Sequence, residues 1–258
     1  MRVAIVGQGY VGLPLGVAAA EAGHTVVGID TDAARVRLLS KGSSPVSDVS
    51  DSSLAAVIAS GNYEASDSFS SVSSADVVCI CVPTPLDASH NPDLSLYEAA
   101  VEAVGANLGA SSLVIVESTI SPGSIRGLTH KILSTVSRHK DFELVYSPER
   151  IDPANKQWNV KNTPKLVAGL SAEGTERAVR FYSSFVEKVA VGSSVEVIET
   201  AKLLENSFRL VNISFINELS VFCSKMGIDI REVVDAAATK PYGFMPFYPS
   251  AGVGGHCI

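Results

Sequence analysis

The sequence predicts an α/β protein with a doubly wound, mostly parallel Rossmann sheet, followed by a second region built on one long helix. Short aliphatic and β-branched runs alternate with helical stretches over about the first 190 residues, and a glycine-rich turn follows the first run. Residues 195–226 contain neither proline nor glycine and repeat apolar residues every three or four positions. We therefore predict two domains, residues 1–194 and residues 195–258.

Six short apolar runs are predicted as the strands of the sheet. They are Val3–Val6, Thr25–Ile29, Val77–Val82, Leu113–Glu117, Leu144–Tyr146 and Leu166–Ala168. The helices between and after them are predicted at Leu13–Ala22, Ala33–Ser40, Leu96–Leu108, Ile125–Ser137, Glu173–Val186, Val195–Met226 and Ile230–Thr239. The serine-rich segment Ser43–Ser53 is predicted as a surface loop before a short helix. The helix from Val195 would extend about 45 Å, so we expect it to link two domains or to pair with a second copy.

Composition excludes several classes of function. With a net charge of −7 and no cluster of Lys or Arg, the chain is not expected to bind nucleic acid. No segment has the roughly 18 uninterrupted apolar residues of a membrane span, and the N-terminal residues resemble a strand rather than a signal peptide. Cys79, Cys81, Cys223 and Cys257 have neither metal-site nor disulfide-framework spacing. We expect a cytoplasmic protein without a structural metal.

The turn Gly7–Gly12 carries the clearest binding signal. It reads Gly-Gln-Gly-Tyr-Val-Gly, follows a predicted strand, opens a predicted helix and precedes a second strand that ends before Asp30. Gly7 permits the tight turn, Gly9 lets a pyrophosphate approach the backbone, and Gly12 lets the helix pack on the sheet. Asp30 is suited to ribose hydroxyls and repels a 2′-phosphate. The turn therefore predicts NAD rather than NADP, with FAD as the stronger competitor.

Two proline-containing turns follow other predicted strands. They are Val82–Pro85 and Glu117–Gly123, which carry the hydroxyls of Thr84 and Thr119. Ligands of open α/β sheets bind outside the carboxyl ends of the strands, where these turns lie. The alternative interpretation is that the prolines only terminate the strands.

A third set of residues has the chemistry of a catalytic site. It comprises Tyr146–Arg150, the pair Lys202 and Asn206, and the loop Gly252–Cys257. Lys202 and Asn206 are four residues apart and share one helix face, where an ammonium and an amide could stabilise an oxyanion. The ammonium would also favour the thiolate of Cys257. Taken singly, these residues are equally typical of a solvated helix face, a Glu149–Arg150 ion pair and a small buried thiol.

Together these motifs resemble the UDP-glucose/GDP-mannose dehydrogenase family, whose members oxidise the C6 alcohol of a nucleotide sugar to a carboxylate with two NAD. The resemblance covers the chain in order, from the glycine turn through Val82–Pro85, Glu117–Gly123 and Ser147–Arg150 to the Gly-Gly-His-Cys ending. The segment Ser147–Pro153 is most similar to the branch of the family that acts on UDP-N-acetylglucosamine.

The resemblance implies a role for each matching residue. Cys257 would attack the C6 aldehyde and form a thiohemiacetal, which a second oxidation converts to a thioester. Lys202 and Asn206 would stabilise the negative oxygen, Glu149 would act as general acid and base, and Thr119 would help hold the water. The residues implied for the cofactor are Gly7, Gly9, Tyr10, Val11, Gly12, Asp30, Arg35, Thr84, Thr119 and Glu149. Those implied for the sugar nucleotide are Glu149, Arg150, Lys202, Asn206, Gly254 and Gly255.

The family also has a third domain that completes the nucleotide-sugar site, whereas this sequence ends at Ile258. We therefore expect these 258 residues to bind NAD and to oxidise UDP-sugars poorly. The long helix is expected to form a homodimer. Two alternatives stay open: a two-electron β-hydroxyacid-type dehydrogenase, which has no use for Cys257, and a non-catalytic NAD-binding module.

Overall fold

The computed structural model describes residues 1–151, 155 and 157–253. The chain divides into two compact units, residues 1–200 and residues 201–258. This division falls inside the long helix, six residues after the domain boundary drawn from the sequence at residues 194 and 195. The predicted domain boundary stays a prediction.

The first unit is built on one eight-stranded sheet with the strand order β3-β2-β1-β4-β5-β6-β7-β8. The strands are β1 (Arg2–Val6), β2 (Thr25–Ile29), β3 (Tyr63–Ser66), β4 (Val77–Ile80), β5 (Leu113–Val116), β6 (Glu143–Tyr146), β7 (Lys165–Gly169) and β8 (Val189–Val191). All neighbouring pairs are parallel except β6 and β7, which are antiparallel, with Tyr146 opposite Ala168. The mostly parallel Rossmann sheet predicted from the sequence is confirmed.

The prediction of six strands was wrong, because β3 and β8 were missed. Both lie at an edge of the sheet, where each has a single neighbour among the described strands. β3 alternates buried Tyr63 with exposed Glu64, and β8 has only three residues, none of them fully buried. Edge strands of this kind lack the continuous apolar run that reveals a central strand in a sequence.

The helices are α1 (Gly12–Glu21), α2 (Ala33–Ser40), α3 (Asp51–Ala59), α4 (Ser95–Asn107), α5 (His130–Val136), α6 (Ala172–Tyr182), α7 (Val195–Lys225) and α8 (Ile230–Ala238). Three sequence-based bounds need correction. The helix expected at Ile125–Ser137 begins as a π-helical turn, Ile125–Thr129, before α5. α6 ends at Tyr182 and not at Val186, and the serine-rich loop ends at Ser50, whose side chain caps α3.

Two apolar layers enclose the sheet. Successive strand residues point to opposite faces, so that Val3 and Ile5 join one layer while Ala4 and Val6 join the other. The first layer includes Leu13, from α1, and further side chains of α6. The other layer is formed with α4 and α5. Because both faces of the sheet are covered, a ligand can bind where the carboxyl ends of the parallel strands meet.

The first turns of α7 belong to the first unit and are fixed there by a buried carboxylate. Glu199 accepts hydrogen bonds from the backbone N–H groups of Gly123, at 2.6 Å, and Ile125, at 2.9 Å. The side chain of Glu199 is fully buried. These bonds satisfy N–H groups at the start of the π-helical turn that precedes α5. Glu199 therefore fixes the loop that follows Thr119.

The second unit contains the rest of α7 and α8. Ile216 and Cys223 of α7 pack with Ile230 and Val234 of α8 in a small buried cluster, with Phe247 against its side. The 31-residue α7 confirms the long helix predicted from the sequence. Within the described part of the chain, no helix is long and apolar enough to cross a membrane.

We expect Glu199→Ala to lower the free energy of unfolding by about 1–3 kcal/mol, because it leaves two N–H groups without their acceptor. The matched control is Glu196→Ala, one turn earlier on the same helix. Glu196 forms an exposed ion pair with Arg126 at 3.0 Å, and such pairs contribute less than about 1 kcal/mol. Urea denaturation of the two variants measures the difference, and equal losses would contradict this account of Glu199.

Candidate active site

The glycine turn lies at the point where the strand order reverses between β1 and β4. Gly7 has a φ of +92°, and a Cβ there would lie 2.6 Å from the carbonyl oxygen of Cys81, just beyond β4. A Cβ on Gly12 would lie 1.8 Å from the carbonyl oxygen of Gly7. Any side chain at these two positions would separate the turn from the strand or from α1. Both glycines are therefore required by the fold.

Gly9 differs from the other two glycines of the motif. A Cβ on Gly9 would have no atom within 4 Å, so the space beside it is open. α1 starts directly after the turn, and within the described chain it has no side-chain cap and no acidic residue in its first turn. Its N-terminal N–H groups and positive dipole end can therefore receive an anion. This arrangement fits the pyrophosphate of a dinucleotide.

Asp30 follows β2 and is 7% exposed. Its Oδ2 accepts hydrogen bonds from the backbone N–H of Gln8, at 2.8 Å, and from Nη1 of Arg35, at 3.0 Å. Its Oδ1 accepts from the N–H of Asp32 at 2.9 Å. A carboxylate offers about four acceptor positions, and the described residues fill three of them, so Oδ1 can accept one more hydrogen bond from a hydroxyl. That geometry fits a ribose hydroxyl beside Asp30 and places Arg35 next to it, as the sequence predicts.

Gln8 was not predicted as a site residue, yet it holds the turn. Its side chain is fully buried. Its Nε2 donates to the carbonyl oxygen of Ile5 at 2.7 Å, and its Oε1 accepts from the hydroxyl of Tyr63 at 2.8 Å. The glycine pattern does not specify this position, so the sequence gives no signal for it. Gln8 thereby connects the turn to β1 and β3.

The two proline-containing turns are bound to each other. The hydroxyl of Thr84 donates to the carbonyl oxygen of Thr119 at 2.8 Å. The hydroxyl of Ser118 donates to the carbonyl oxygen of Val82 at 2.7 Å. Thr84 and Thr119 are both half-buried. These turns therefore form one surface at the carboxyl ends of β4 and β5, where the sequence predicts them.

Four polar side chains meet where the parallel strands end, at what we call the carboxyl edge of the sheet, and three of them are buried while Glu149 is partly buried. We call Glu117, Glu149, Lys165 and Tyr182 the edge cluster. Nζ of Lys165 lies 2.5 Å from Oε2 of Glu117 and 3.2 Å from Oε2 of Glu149. The hydroxyl of Tyr182 donates to Oε1 of Glu117 at 2.5 Å. In the two ion pairs the side chains are between 0% and 12% exposed, and Glu149, at 12%, is the most open of the three.

The three charges of the edge cluster have different proton affinities. Burial raises the pKa of Glu117 to about 7, although the Lys165 ammonium favours its ionised form. Burial also opposes ionisation of Glu149, but Lys165 and the N–H groups of Ile151 and Arg150 outweigh it and lower the pKa. Burial lowers the pKa of Lys165, yet its two carboxylate partners raise it above the ordinary value. Glu149 is therefore ionised at neutral pH.

Glu149 contacts Arg150 through the Arg150 backbone, and its ion pair among the described residues is with Lys165 and not with the Arg150 side chain. The backbone N–H groups of Arg150 and Ile151 both donate to Oε1 of Glu149, each at 2.6 Å. Nη1 of Arg150 donates to the carbonyl oxygen of Pro164 at 2.8 Å. Arg150 thus fixes the segment before Lys165 while its backbone holds Glu149.

Lys202 and Asn206 lie one turn apart on α7, and both are half-buried. They belong to the second unit, whereas Thr119 and Glu149 belong to the first. Gly254, Gly255 and Cys257 lie outside the described residues. The proposed roles of all five catalytic residues stay predictions. Cys79, Cys81 and Cys223 are free and buried.

Glu117 and Lys165 are the two residues of the buried ion pair, and the sequence interpretation missed both. Their signal was available: each carries a charge directly beside a buried apolar run, Leu113–Val116 for Glu117 and Leu166–Ala168 for Lys165. A charge at such a position must be paired, because an isolated buried charge is very costly. Opposite charges at the ends of two sheet strands therefore predict an ion pair.

Comparison with known proteins supports the same assignment. Residues 1–186 match the UDP-glucose/GDP-mannose dehydrogenase family, NAD binding domain, and residues 196–258 match the central domain of that family. The chain is 37% identical to Protein CapL of Staphylococcus aureus and 37% identical to a UDP-N-acetyl-D-glucosamine 6-dehydrogenase of Pseudomonas aeruginosa. Each alignment covers 100% of this chain, and 60% and 61% of those relatives.

A solved structure has the same fold. The UDP-D-ManNAc dehydrogenase of Pyrococcus horikoshii superposes with a TM-score of 0.92 at 31% identity, over 100% of this chain and 62% of that chain. The chain thus spans about three fifths of the length of the relatives it matches. The glycine turn, Asp30 and the matched domain together make NAD the cofactor of the first unit. The chain belongs to the UDP-glucose/GDP-mannose dehydrogenase family.

Proposed function

We propose that the chain is the NAD-binding and central part of a nucleotide-sugar 6-dehydrogenase. Its substrate would be UDP-N-acetylglucosamine or a related UDP-sugar, whose C6 alcohol is oxidised to a carboxylate. One observation carries this proposal: the Glu149 carboxylate is held by an ammonium and two backbone N–H groups at the carboxyl edge of the sheet that also holds the dinucleotide turn. A general base must be ionised and held in place before the reaction begins.

The substrate class is supported by the relatives, whose names include dehydrogenases of UDP-N-acetylglucosamine and of UDP-N-acetylmannosamine. The free thiols of Cys79, Cys81 and Cys223 fit the reducing cytoplasm as the compartment of the enzyme.

The proposed chemistry divides among a few side chains. The glycine turn and Asp30 would hold NAD, which when bound would supply the hydride acceptor for each of the two oxidations. Cys257 forms the thiohemiacetal and then the thioester, which keeps the aldehyde bound. Lys202 and Asn206, one turn apart on α7, stabilise the negative oxygen. Glu149 takes a proton from the water that hydrolyses the thioester, and Thr119 helps hold that water.

NAD binding is tested by two glycine variants with different expected effects. Gly9→Ala should fold normally, because its Cβ meets no atom within 4 Å, but should weaken NAD binding at least about tenfold by filling the space for the pyrophosphate. Gly12→Ala should lose binding and also about 1–3 kcal/mol of stability, because its Cβ overlaps the carbonyl of Gly7. Calorimetric titration and thermal melting measure both effects. Unchanged NAD affinity in Gly9→Ala would contradict the assigned site.

The reaction is tested by the stoichiometry of NAD reduction. With UDP-N-acetylglucosamine, a four-electron oxidation yields two NADH per sugar, and Cys257→Ser should abolish acid formation. Because the chain spans about three fifths of its relatives, the assay is run on this chain and on its fusion to the remaining part of the Pseudomonas aeruginosa relative. One NADH per sugar, unchanged by Cys257→Ser, would favour the β-hydroxyacid-type alternative. Binding of NAD without any binding of UDP-sugar would favour the non-catalytic module.

We also propose that α7 forms a homodimer in the second unit. Exposed apolar side chains recur along it at intervals of three, four and seven residues, namely Leu204, Phe208, Val211, Phe215 and Phe222. This spacing gives one continuous stripe, which is typical of a helix that pairs with another helix. A second copy presents the same stripe, so the contact can be symmetric.

Phe215→Glu is expected to convert the dimer to a monomer, because it places a charge in the middle of the apolar stripe. Light scattering coupled to size-exclusion chromatography measures the mass. The control is Leu96→Glu, at a leucine that is 53% exposed on α4. A dimer that persists in Phe215→Glu would exclude this face, and a monomeric wild-type chain would exclude the dimer.

A further inference from the structure

Lys165 lies between the two carboxylates of the edge cluster, and no step of the proposed reaction uses it directly. We propose that Lys165 is a positioning residue for Glu149: its ammonium, anchored on the Glu117 carboxylate, holds the Glu149 carboxylate ionised and fixed at the carboxyl edge of the sheet. This inference rests on the proposed function of Glu149 and deepens it. The contacts that carry it are the ion pairs of Lys165 at 2.5 and 3.2 Å.

The two oxygens of Glu149 have separate partners. Oε1 accepts from the N–H groups of Arg150 and Ile151, and Oε2 accepts from Nζ of Lys165. A carboxylate held at both oxygens cannot rotate about its terminal bond. Each carboxylate oxygen accepts about two hydrogen bonds, and among the described residues Lys165 is the donor at Oε2, so that oxygen can also accept the proton of a water molecule. Lys165 therefore fixes the oxygen that is left to react.

Lys165 itself is held on two further sides. Its Nζ donates to Glu117, whose other oxygen is bound by the hydroxyl of Tyr182. The same ammonium lies 5.4 Å from the centroid of the Tyr182 ring, within the range of a cation–π contact. Glu117 and Tyr182 thus keep the ammonium from following Glu149 if that side chain moves.

The charge balance explains why one ammonium is sufficient for Glu149. Among the described residues, five ionisable groups lie next to Glu149 or interact with it. They are Lys165 of β7, Glu117 after β5, Cys81 after β4, the neighbouring Arg150, and Tyr182 of α6, which contacts Glu117. Burial raises the pKa values of Cys81 and Tyr182 well above their ordinary values, so both stay neutral. Glu117 and Glu149 therefore share the ammonium of Lys165. Glu149 also accepts two backbone hydrogen bonds, which favour its ionised form.

The test is a pH titration of the Glu149 carboxyl carbon by NMR in the cofactor-free chain labelled with ¹³C at glutamate, with Glu149→Gln to assign the signal. Glu117→Gln serves as the background, because it removes the competing carboxylate. There we expect Glu149 to titrate below its ordinary value of 4.5. Adding Lys165→Met should raise the midpoint above that value, a shift of about 1–3 pH units, because burial then acts without the cation.

Lys161→Met in the same background is the matched control. Lys161 is exposed and pairs with Glu21 at 2.8 Å, so its loss should leave the Glu149 midpoint unchanged. A purely structural role of Lys165 predicts a lower melting temperature with an unmoved midpoint, and that result overturns the proposal. If the double variant does not fold, the Glu117→Gln variant alone tests the proposal. A Glu149 midpoint above the ordinary value in that variant also overturns the proposal.

The titration is independent of the proposed reaction. It requires neither NAD nor a sugar, so an unmoved Glu149 midpoint removes the positioning role and leaves the proposed dehydrogenase standing. Failure of NAD binding or of sugar oxidation, by contrast, removes the dehydrogenase and leaves the coupling between Lys165 and Glu149 intact. The two results can therefore be told apart.

Discussion

The change of strand direction between β6 and β7 places the ammonium on which the carboxyl edge of the sheet depends. β7 runs antiparallel to β6, so its first residue, Lys165, lies at the edge where the parallel strands end. If β7 ran parallel to β6, Lys165 would lie at the opposite end of the strands, and Glu117 and Glu149 would lack their cation. Uncompensated buried carboxylates cost several kcal/mol each. The strand direction and the edge cluster therefore require one another.

The dinucleotide end of the same edge follows a related principle. Asp30 is a nearly buried carboxylate whose acceptor positions are filled mainly by the protein, through Gln8, Asp32 and Arg35. The N–H of Gln8 belongs to the glycine turn, so Asp30 holds the turn in place. Groups held in place before a ligand arrives lose less entropy when it binds. Both ends of the edge are thus organised by carboxylates that already have protein partners.

The sequence predicted those parts of the molecule that depend on local pattern. The buried central strands, the glycine turn and α7 have strong periodicity or fixed spacing, and the structure confirms them. β3 and β8 were missed because edge strands need no continuous apolar run. Glu117 and Lys165 were missed for another reason: they form an ion pair with each other although they are 48 positions apart in the chain. Only the fold brings such residues together, although unpaired charges beside apolar runs indicate that partners exist.

The edge cluster is difficult to explain by stability alone. A buried ion pair rarely stabilises a fold more than well-packed apolar side chains of the same volume, because desolvation offsets the Coulomb attraction. Here two carboxylates share one ammonium, so the ionised cluster would carry one uncompensated negative charge. Burial, with the nearby Glu149 charge, raises the pKa of Glu117 to about 7. A sheet edge that needed only packing would contain none of these charges. The second carboxylate, Glu149, is also the one bound by two backbone N–H groups and partly open to solvent. The free energy spent on burying these charges therefore keeps the Glu149 carboxylate charged and oriented.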